Sequence, residues 1–375
     1  MRVIHIIIGL NKGGAEGALL RLVETSSRKN IKNKVISLTT KGKLTEHFEK
    51  IDCEVSCLGL NSFLSLPQAF FKLLKEIKSY NPDIVQTWMY HADFLGGIAA
   101  RILGYRNIIW NIRTTDISYN NSYFTDLIRF FCSRMSSFVP SKIVFVAHKG
   151  MVFHNKIGYS KNKSIVISNG YKFQNYQLDS SIRNQARKSL SITDDTSIIG
   201  FVGRHHPVKG INTFIKSASI VAKKNSNVNF MMVGRGNTNK NNELVRILKK
   251  EGVLNKFILL GESEDIKKQL MMMDIFILCS KTEGFPNALA EAMLMQLPCI
   301  ATNVGDAPLI LEDVGKIVED DNESNLAKAI IDLLKINKSD RREMGIVSRD
   351  RIVKRYSIEN FTNGYLKIYQ ETKEI

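Results

Sequence analysis

Several features are scarce or missing in this chain. Its five cysteines (Cys53, Cys57, Cys132, Cys279, Cys299) are odd in number, scattered and without a C-x-x-C pair. Neither a disulfide framework nor a zinc site is therefore indicated, and they read as buried thiols. No run of about eighteen uncharged apolar residues exists to span a bilayer; Val3 to Leu10 has only the length of a buried strand. Met1-Arg2 leads straight into that stretch, without the charged, apolar and small-residue regions of a secretory leader, so a cytoplasmic protein is expected. No low-complexity segment or short repeat is present, and none of the standard nucleic-acid-binding modules appears.

What is present describes a globular protein. With 375 residues, 44% hydrophobic and 24% charged, the chain is too long for one ordinary core and fits two domains. Its formal charge of +17 is uneven. Residues 1–175 hold 24 basic and 11 acidic side chains, net +13; residues 176–375 hold 29 and 25, net +4. The first half either faces something anionic, such as a phospholipid surface, nucleic acid or a phosphorylated substrate, or is simply a solvated basic surface.

Apolar runs alternate with amphipathic stretches. Val3–Leu10, Lys34–Leu38, Ile84–Thr87, Ile108–Ile112, Lys142–Ala147 and Ser164–Ile167 read as buried strands, with helical spacing at Ala18–Thr25 and Ala69–Ile77. The second half repeats the scheme with strands at Ser197–Val202, Val228–Val233, Phe257–Leu260, Ile275–Cys279 and Cys299–Thr302. Helices are expected there at Ile211–Lys224, Asn241–Glu251, Asp265–Met271, Ala288–Met295 and Glu323–Leu334. Such alternation predicts two doubly wound α/β domains, whose ligands sit at the carboxyl ends of strands. The boundary is expected in the polar stretch Ser168–Ser181, giving domains of 1–175 and 176–357. The closing segment 358–375 has Phe361, Tyr365, Ile368 and Tyr369 at the spacing of a docking helix.

Three loops suggest phosphate chemistry. In "IIIGLNKGGAEGALLRLVE", Gly13-Gly14 lets backbone amides approach a ligand at a helix N-terminus, although the spacing is not G-x-G-x-x-G and a purely structural turn reads as well. In "SIIGFVGRHHPVKGINTFIKSA", Arg204 and Lys209 follow a strand and precede a helix, a place where a forked guanidinium and a point charge would hold a diphosphate; read singly, they are also ordinary surface charges. In "SKTEGFPNALAEAMLMQLPCI", Glu283 and Glu291 flank a Gly-Phe-Pro turn, with Asn287 as the expected N-cap of a helix starting at Ala288. Carboxylates beside a diphosphate would repel it, so the two glutamates are expected to accept hydrogen bonds from neutral hydroxyls on a ribose and a sugar. The plainer alternative is a first-turn acid in Glu291 and a solvated loop residue in Glu283.

Taken in order, these motifs resemble the GT-B retaining glycosyltransferases of family 4, the "glycosyl transferases group 1" type associated with bacterial surface polysaccharides. The resemblance covers nearly the whole chain: G-G-A-E at Gly13–Glu16, G-R-x4-K ending at Lys209, "NFMMVGRG", and E-x7-E from Glu283 to Glu291. It implies two Rossmann-like domains facing a central cleft, with a C-terminal helix crossing back to the first. It assigns Arg204, Lys209, Gly14, Phe285 and Asn287 to the donor diphosphate, Glu291 to ribose, Leu260-Gly261 to the base, and Glu283 and His91 to the donor sugar. "VGDAP" at Val304–Pro308 departs from the usual glycine and glutamate pattern, which puts that loop's contact with the sugar in question.

The resemblance further implies transfer of a hexose or N-acetylhexosamine from a nucleotide diphosphate sugar, UDP-linked by expectation, with retention of anomeric configuration. No D-x-D triplet is present to hold a divalent cation, and no metal or other cofactor is expected. The acceptor is expected to be a lipid-linked saccharide or oligosaccharide of O-antigen, capsule or related glycan. The basic-aromatic stretches Ser62–Tyr80 and Tyr123–Lys142 would meet an anionic membrane at its inner face, unless Phe70, Phe71, Phe130 and Phe131 are ordinary core residues. A GT-B nucleotide-sugar epimerase, a phosphorylase and a non-enzymatic nucleic-acid-binding protein are the rival readings; nucleic acid is not expected as a partner.

Overall fold

The buried apolar runs all become parallel strands. A computed structural model describes residues 1–11, 13–115 and 123–374. The chain divides into two units, Met1–Gly170 with Ile358–Ile375, and Tyr171–Ser357, so the division falls at Gly170 rather than at the expected residue 175.

Among the described residues, the N-terminal unit holds seven strands: β1 (Arg2–Ile7), β2 (Lys32–Ser37), β3 (Glu54–Cys57), β4 (Ile84–Trp88), β5 (Ile108–Ile112), β6 (Lys142–Phe145) and β7 (Ser164–Val166). They form one parallel sheet in the order β3-β2-β1-β4-β5-β6-β7. Strands β4 and β5 are buried along their whole length, as expected for strands covered by helices on both faces. The sequence order reverses between β1 and β4, which opens a crevice at their carboxyl ends.

The closing helix Ile358–Lys373 belongs to this unit. Phe361, Tyr365, Ile368 and Tyr369 are buried among Val3, Leu19, Leu22 and Trp88, at roughly 1.5–3 kcal/mol for each large side chain removed from water. Polar contacts fix its register. Asn111 Nδ2 donates to Tyr365 Oη at 2.7 Å, Tyr369 Oη donates to Gln86, and Thr25 and Thr362 hydroxyls lie 2.7 Å apart.

The second unit has six parallel strands: β8 (Ser197–Val202), β9 (Val228–Val233), β10 (Phe257–Gly261), β11 (Ile275–Leu278), β12 (Cys299–Thr302) and β13 (Lys316–Val318), in the order β10-β9-β8-β11-β12-β13. Its reversal lies between β8 and β11. The loops leaving those two strands carry Arg204 with Lys209, and Glu283. Elements unforeseen in sequence complete this unit, among them helix Ser180–Ser189, edge strand β13 and the long helix Lys338–Arg355. Among the described residues, no helix is long and apolar enough to cross a membrane.

Candidate active site

The loop after β8 turns through Pro207–Lys209 into the helix Ile211–Lys224. Gly210 makes the turn: its φ is +65°, and an added Cβ would lie 1.8 Å from the Cys279 carbonyl oxygen, so a side chain is excluded on both counts. This close approach welds the β8 exit to the β11 exit, and Lys281 N–H donates to Val208 O at 2.8 Å. Lys209 and Glu283, 74 residues apart, consequently meet: Lys209 Nζ lies 2.6 Å from Glu283 Oε1, and Ser280 Oγ donates to the same oxygen at 2.7 Å. The side chains are 24% and 14% exposed. Arg204 is exposed on the same loop. An ammonium has three protons and Glu283 takes one, which leaves donors on Lys209 for an anion.

The β11 loop ends at the helix Asn287–Leu294. Pro286, not Asn287, holds the capping position, and it offers no side-chain acceptor to the first turn. The Asn287 side chain goes elsewhere, accepting from Tyr171 Oη at 2.6 Å. The helix carries no acid in its first turn, so Glu291, half-buried in the second, is not a dipole-favoured first-turn residue. Phe285 is buried against Tyr356 and Tyr171, with ring centroids 5.1 and 6.4 Å away. In the departing "VGDAP" loop, Gly305 has φ +50° and lies so close to Gly284 O that a Cβ would reach within 2.3 Å of it. Asp306 is buried there, and its N–H donates to Gly284 O at 3.0 Å. That loop therefore supports the backbone beside Glu283.

On the other side, the exits of β9 and β10 join the β8 loop through Asn237, a residue not singled out in sequence. Its Nδ2 donates to Gly203 O at 2.7 Å and its carbonyl accepts from Gly261 N–H at 2.8 Å. Gly261 is buried and Leu260 half-buried at the end of β10. One edge of the second unit thus gathers Arg204, Lys209, Leu260, Gly261, Glu283, Phe285, Asn287 and Glu291.

Gly14 and His91 belong to the N-terminal unit. The helix Gly14–Ser27 starts at an exposed glycine turn, but Glu16 leans back over it, its Oε2 lying 2.3 Å from where a Cβ on Gly13 would be. Burial raises the Glu16 carboxyl above its ordinary range. This helix end has a carboxylate of its own, whereas the first turn of Ile211–Lys224 has none. His91 stands just past the carboxyl end of β4, in the first turn of the helix Tyr90–Ile102, entered through Met89 at φ +71°. Such a backbone costs on the order of 1–3 kcal/mol in a non-glycine residue and is held here by Met89 N–H on Asn111 O at 2.9 Å. Burial lowers the His91 pKa and favours neutral imidazole. Asp93, fully buried two residues on, accepts from Thr87 Oγ1 at 2.5 Å; desolvation raises its carboxyl far above the ordinary range.

The aromatics of this unit are not all core residues. Phe71, Phe130 and Phe131 are exposed, while Phe70 packs in part on the core.

Residues 12–174 match the family described as Glycosyltransferase Family 4, and residues 196–336 match Glycosyl transferases group 1. The capsular polysaccharide biosynthesis glycosyltransferase CapM of Staphylococcus aureus is 24% identical over 318 residues, 80% of this chain and 81% of that one. The N,N'-diacetylbacillosaminyl-diphospho-undecaprenol alpha-1,3-N-acetylgalactosaminyltransferase of Campylobacter jejuni is 26% identical over 299 residues, 76% of each chain. Among solved structures, Anabaena HepE in complex with UDP-glucose superimposes with a TM-score of 0.86 at 18% identity, covering 100% of both chains. Fold, motif order and family matches agree: the chain belongs to the group 1, family 4 glycosyltransferases of GT-B fold.

Proposed function

We propose that the protein moves a hexose or N-acetylhexosamine from a UDP-sugar to a lipid-linked saccharide during assembly of a bacterial surface polysaccharide, at the inner face of the cytoplasmic membrane. One observation carries the chemistry: the Lys209–Glu283 pair at the switch point of the second sheet. Lys209 and Arg204 meet the diphosphate, Glu283 accepts from a donor-sugar hydroxyl, and their direct contact couples the sugar's position to its leaving group. As the bond from the anomeric carbon to the diphosphate oxygen breaks, negative charge grows on that oxygen and is stabilised by the two cations and by the N-termini of helices Ile211–Lys224 and Asn287–Leu294. The departing oxygen takes the acceptor's proton on the same face while the acceptor oxygen bonds to that carbon, so configuration is retained. No divalent cation is required.

Glu291 binds the ribose, Leu260-Gly261 the base, and the backbone of Phe285 and Asn287 the phosphates. The capsule and diphospho-undecaprenol wording of the relatives supports the pathway and acceptor class, and the UDP named in the structural neighbours supports the base.

The test incubates the protein with UDP-, GDP- and ADP-sugars, with and without a bacterial lipid extract, and measures nucleotide diphosphate release. UDP release that depends on the extract is expected. Release without any acceptor would favour an epimerase or hydrolase; no release from any donor would refute the reading.

A further inference from the structure

The helix Asn287–Leu294 starts with an opening for a ligand that its own sequence could close. Pro286 gives the first turn no side-chain acceptor. Leu289 and Ala290 N–H both donate to Pro286 O, at 3.1 and 3.3 Å, while the Ala288 N–H has no acceptor among the described residues. Asn287 is the first residue of the helix, and an asparagine side chain in such a place turns readily onto neighbouring N–H groups. Its oxygen would then occupy the amides that a phosphate oxygen needs. It is held elsewhere, because Asn287 Oδ1 accepts from Tyr171 Oη at 2.6 Å.

Tyr171 is only 2% exposed, and its place is fixed from several sides. Its N–H donates to Tyr356 O at 2.9 Å and it forms a parallel bridge with Ser357, so the two chain ends of the second unit are joined there. Its ring meets Tyr176 edge-on, with centroids 6.3 Å apart. Arg349 in turn donates to Tyr176 O at 2.6 Å and to Leu294 O, at the far end of the same helix. On its remaining side lies Phe285, backed by the Tyr356 ring. A buried phenol held in this way restrains the loop: its hydroxyl takes Asn287 and its ring takes Phe285.

We propose that Tyr171 is a positioning residue for the donor diphosphate. Its hydroxyl keeps the Asn287 oxygen off the first turn of helix Asn287–Leu294, so that the Ala288 amide meets phosphate, and its ring sets the Phe285 backbone beside it. The inference rests on the diphosphate reading of this loop proposed above.

Calorimetric titrations of the full chain compare UDP with uridine in wild type, Tyr171→Phe and Tyr171→Phe/Asn287→Ala. Phenylalanine keeps the ring packing and removes only the hydroxyl. UDP should bind Tyr171→Phe about tenfold more weakly, the loss of about one hydrogen bond, while uridine binds as it does to wild type. Removing the Asn287 side chain as well should recover most of that loss, since alanine keeps the backbone amides and has no competing oxygen. A general loosening of the site would weaken uridine too and would not be rescued. Unchanged UDP affinity in Tyr171→Phe, an equal loss for uridine, or a double variant no better than the single one overturns the role of Tyr171 and leaves the diphosphate reading in place. A wild type that binds uridine as tightly as UDP overturns both.

Discussion

Lys209→Ala is the most informative perturbation. In the wild type, Lys209 Nζ is 2.6 Å from Glu283 Oε1, and both side chains are largely shielded from water. Under the proposed assignment, removing the ammonium deletes a charge-assisted hydrogen bond to the diphosphate, about 1.5–3 kcal/mol. It also leaves Glu283 with only the Ser280 hydroxyl on that oxygen and facing the incoming anion. At an effective dielectric of about 20 and a separation of roughly 5 Å, that repulsion is about 3 kcal/mol per unit charge. Even half of the summed effect weakens UDP binding on the order of 100-fold. With UDP at about 100 times its wild-type Kd, ligand stabilisation should fall from about 2.7 to about 0.4 kcal/mol. In differential scanning fluorimetry, a shift of about 5–10 °C then shrinks to about 1 °C. Adding Glu283→Gln to the variant removes the repulsion and should restore part of the shift. An undiminished UDP shift in Lys209→Ala would refute the diphosphate assignment, and no recovery in the double variant would refute the electrostatic part.

Glu291→Ala should reduce the UDP-induced shift without abolishing it, by about 1.5–3 kcal/mol for a hydrogen bond to a charged group, whereas uridine-free pyrophosphate should bind it as it binds wild type. Gly210→Ala, which drives a methyl into the Cys279 carbonyl at positive φ, should destabilise the second unit by well over about 1 kcal/mol in urea unfolding and weaken UDP binding with it. Asp93 gives a pH signature. Its folded-state pKa is raised, so the folded protein keeps a proton that the unfolded chain releases, and this contribution to stability is present at low pH and lost as pH rises above the unfolded value near 4. Asp93→Asn, which still accepts from Thr87, should therefore gain stability relative to wild type by up to about 1.4 kcal/mol per pH unit between pH 5 and 7; parallel pH curves would contradict this. Activity should persist in a chelator such as EDTA, and its loss would show that a divalent cation takes part.

The sheets were legible because central parallel strands are continuous apolar runs, such as Ile84–Trp88 and Ile275–Leu278, and the switch-point loops follow from their order. Two of the four edge strands, β3 and β13, were not, whereas β7 and β10 were. Glu54–Cys57 and Lys316–Val318 are short, and each opens with an exposed charge, so no run announces them. Helix Lys338–Arg355 escaped for a different reason. Its buried positions are Arg341, Gly345, Ser348 and Ile352, correctly spaced but mostly not apolar. Gly345 sits against the Gln296 backbone, where a Cβ would lie 1.9 Å from the carbonyl oxygen, and Arg341 donates to the carbonyls that end the preceding helix. Hydrophobic periodicity does not record close helix approach or a capping guanidinium.

At the candidate site, motif order named most of the residues that one edge of the second unit brings together and withheld their pairing. Lys209 was expected on a phosphate and Glu283 on a sugar, but their mutual contact depends on the Gly210–Cys279 approach, which no local pattern encodes. Asn287 looks like a cap until Tyr171, 116 residues away, takes its side chain. Asn237 directly follows the recognised "NFMMVGRG" stretch, and its isolated amide among turn residues was the available signal. The Glu16 carboxylate over the Gly13-Gly14 turn could have been suspected from G-G-A-E, where an acid follows the turn within one helical step.

The central claim, that fixed positive charge at the β8–β11 switch point holds the departing diphosphate, is tested most directly by a crystal structure with UDP. The β-phosphate is expected within hydrogen-bond distance of both the Arg204 guanidinium and Lys209 Nζ, with Glu283 still on the lysine and Glu291 on the ribose. A diphosphate bound away from both cations, or bridged to the protein by a metal ion, would contradict it.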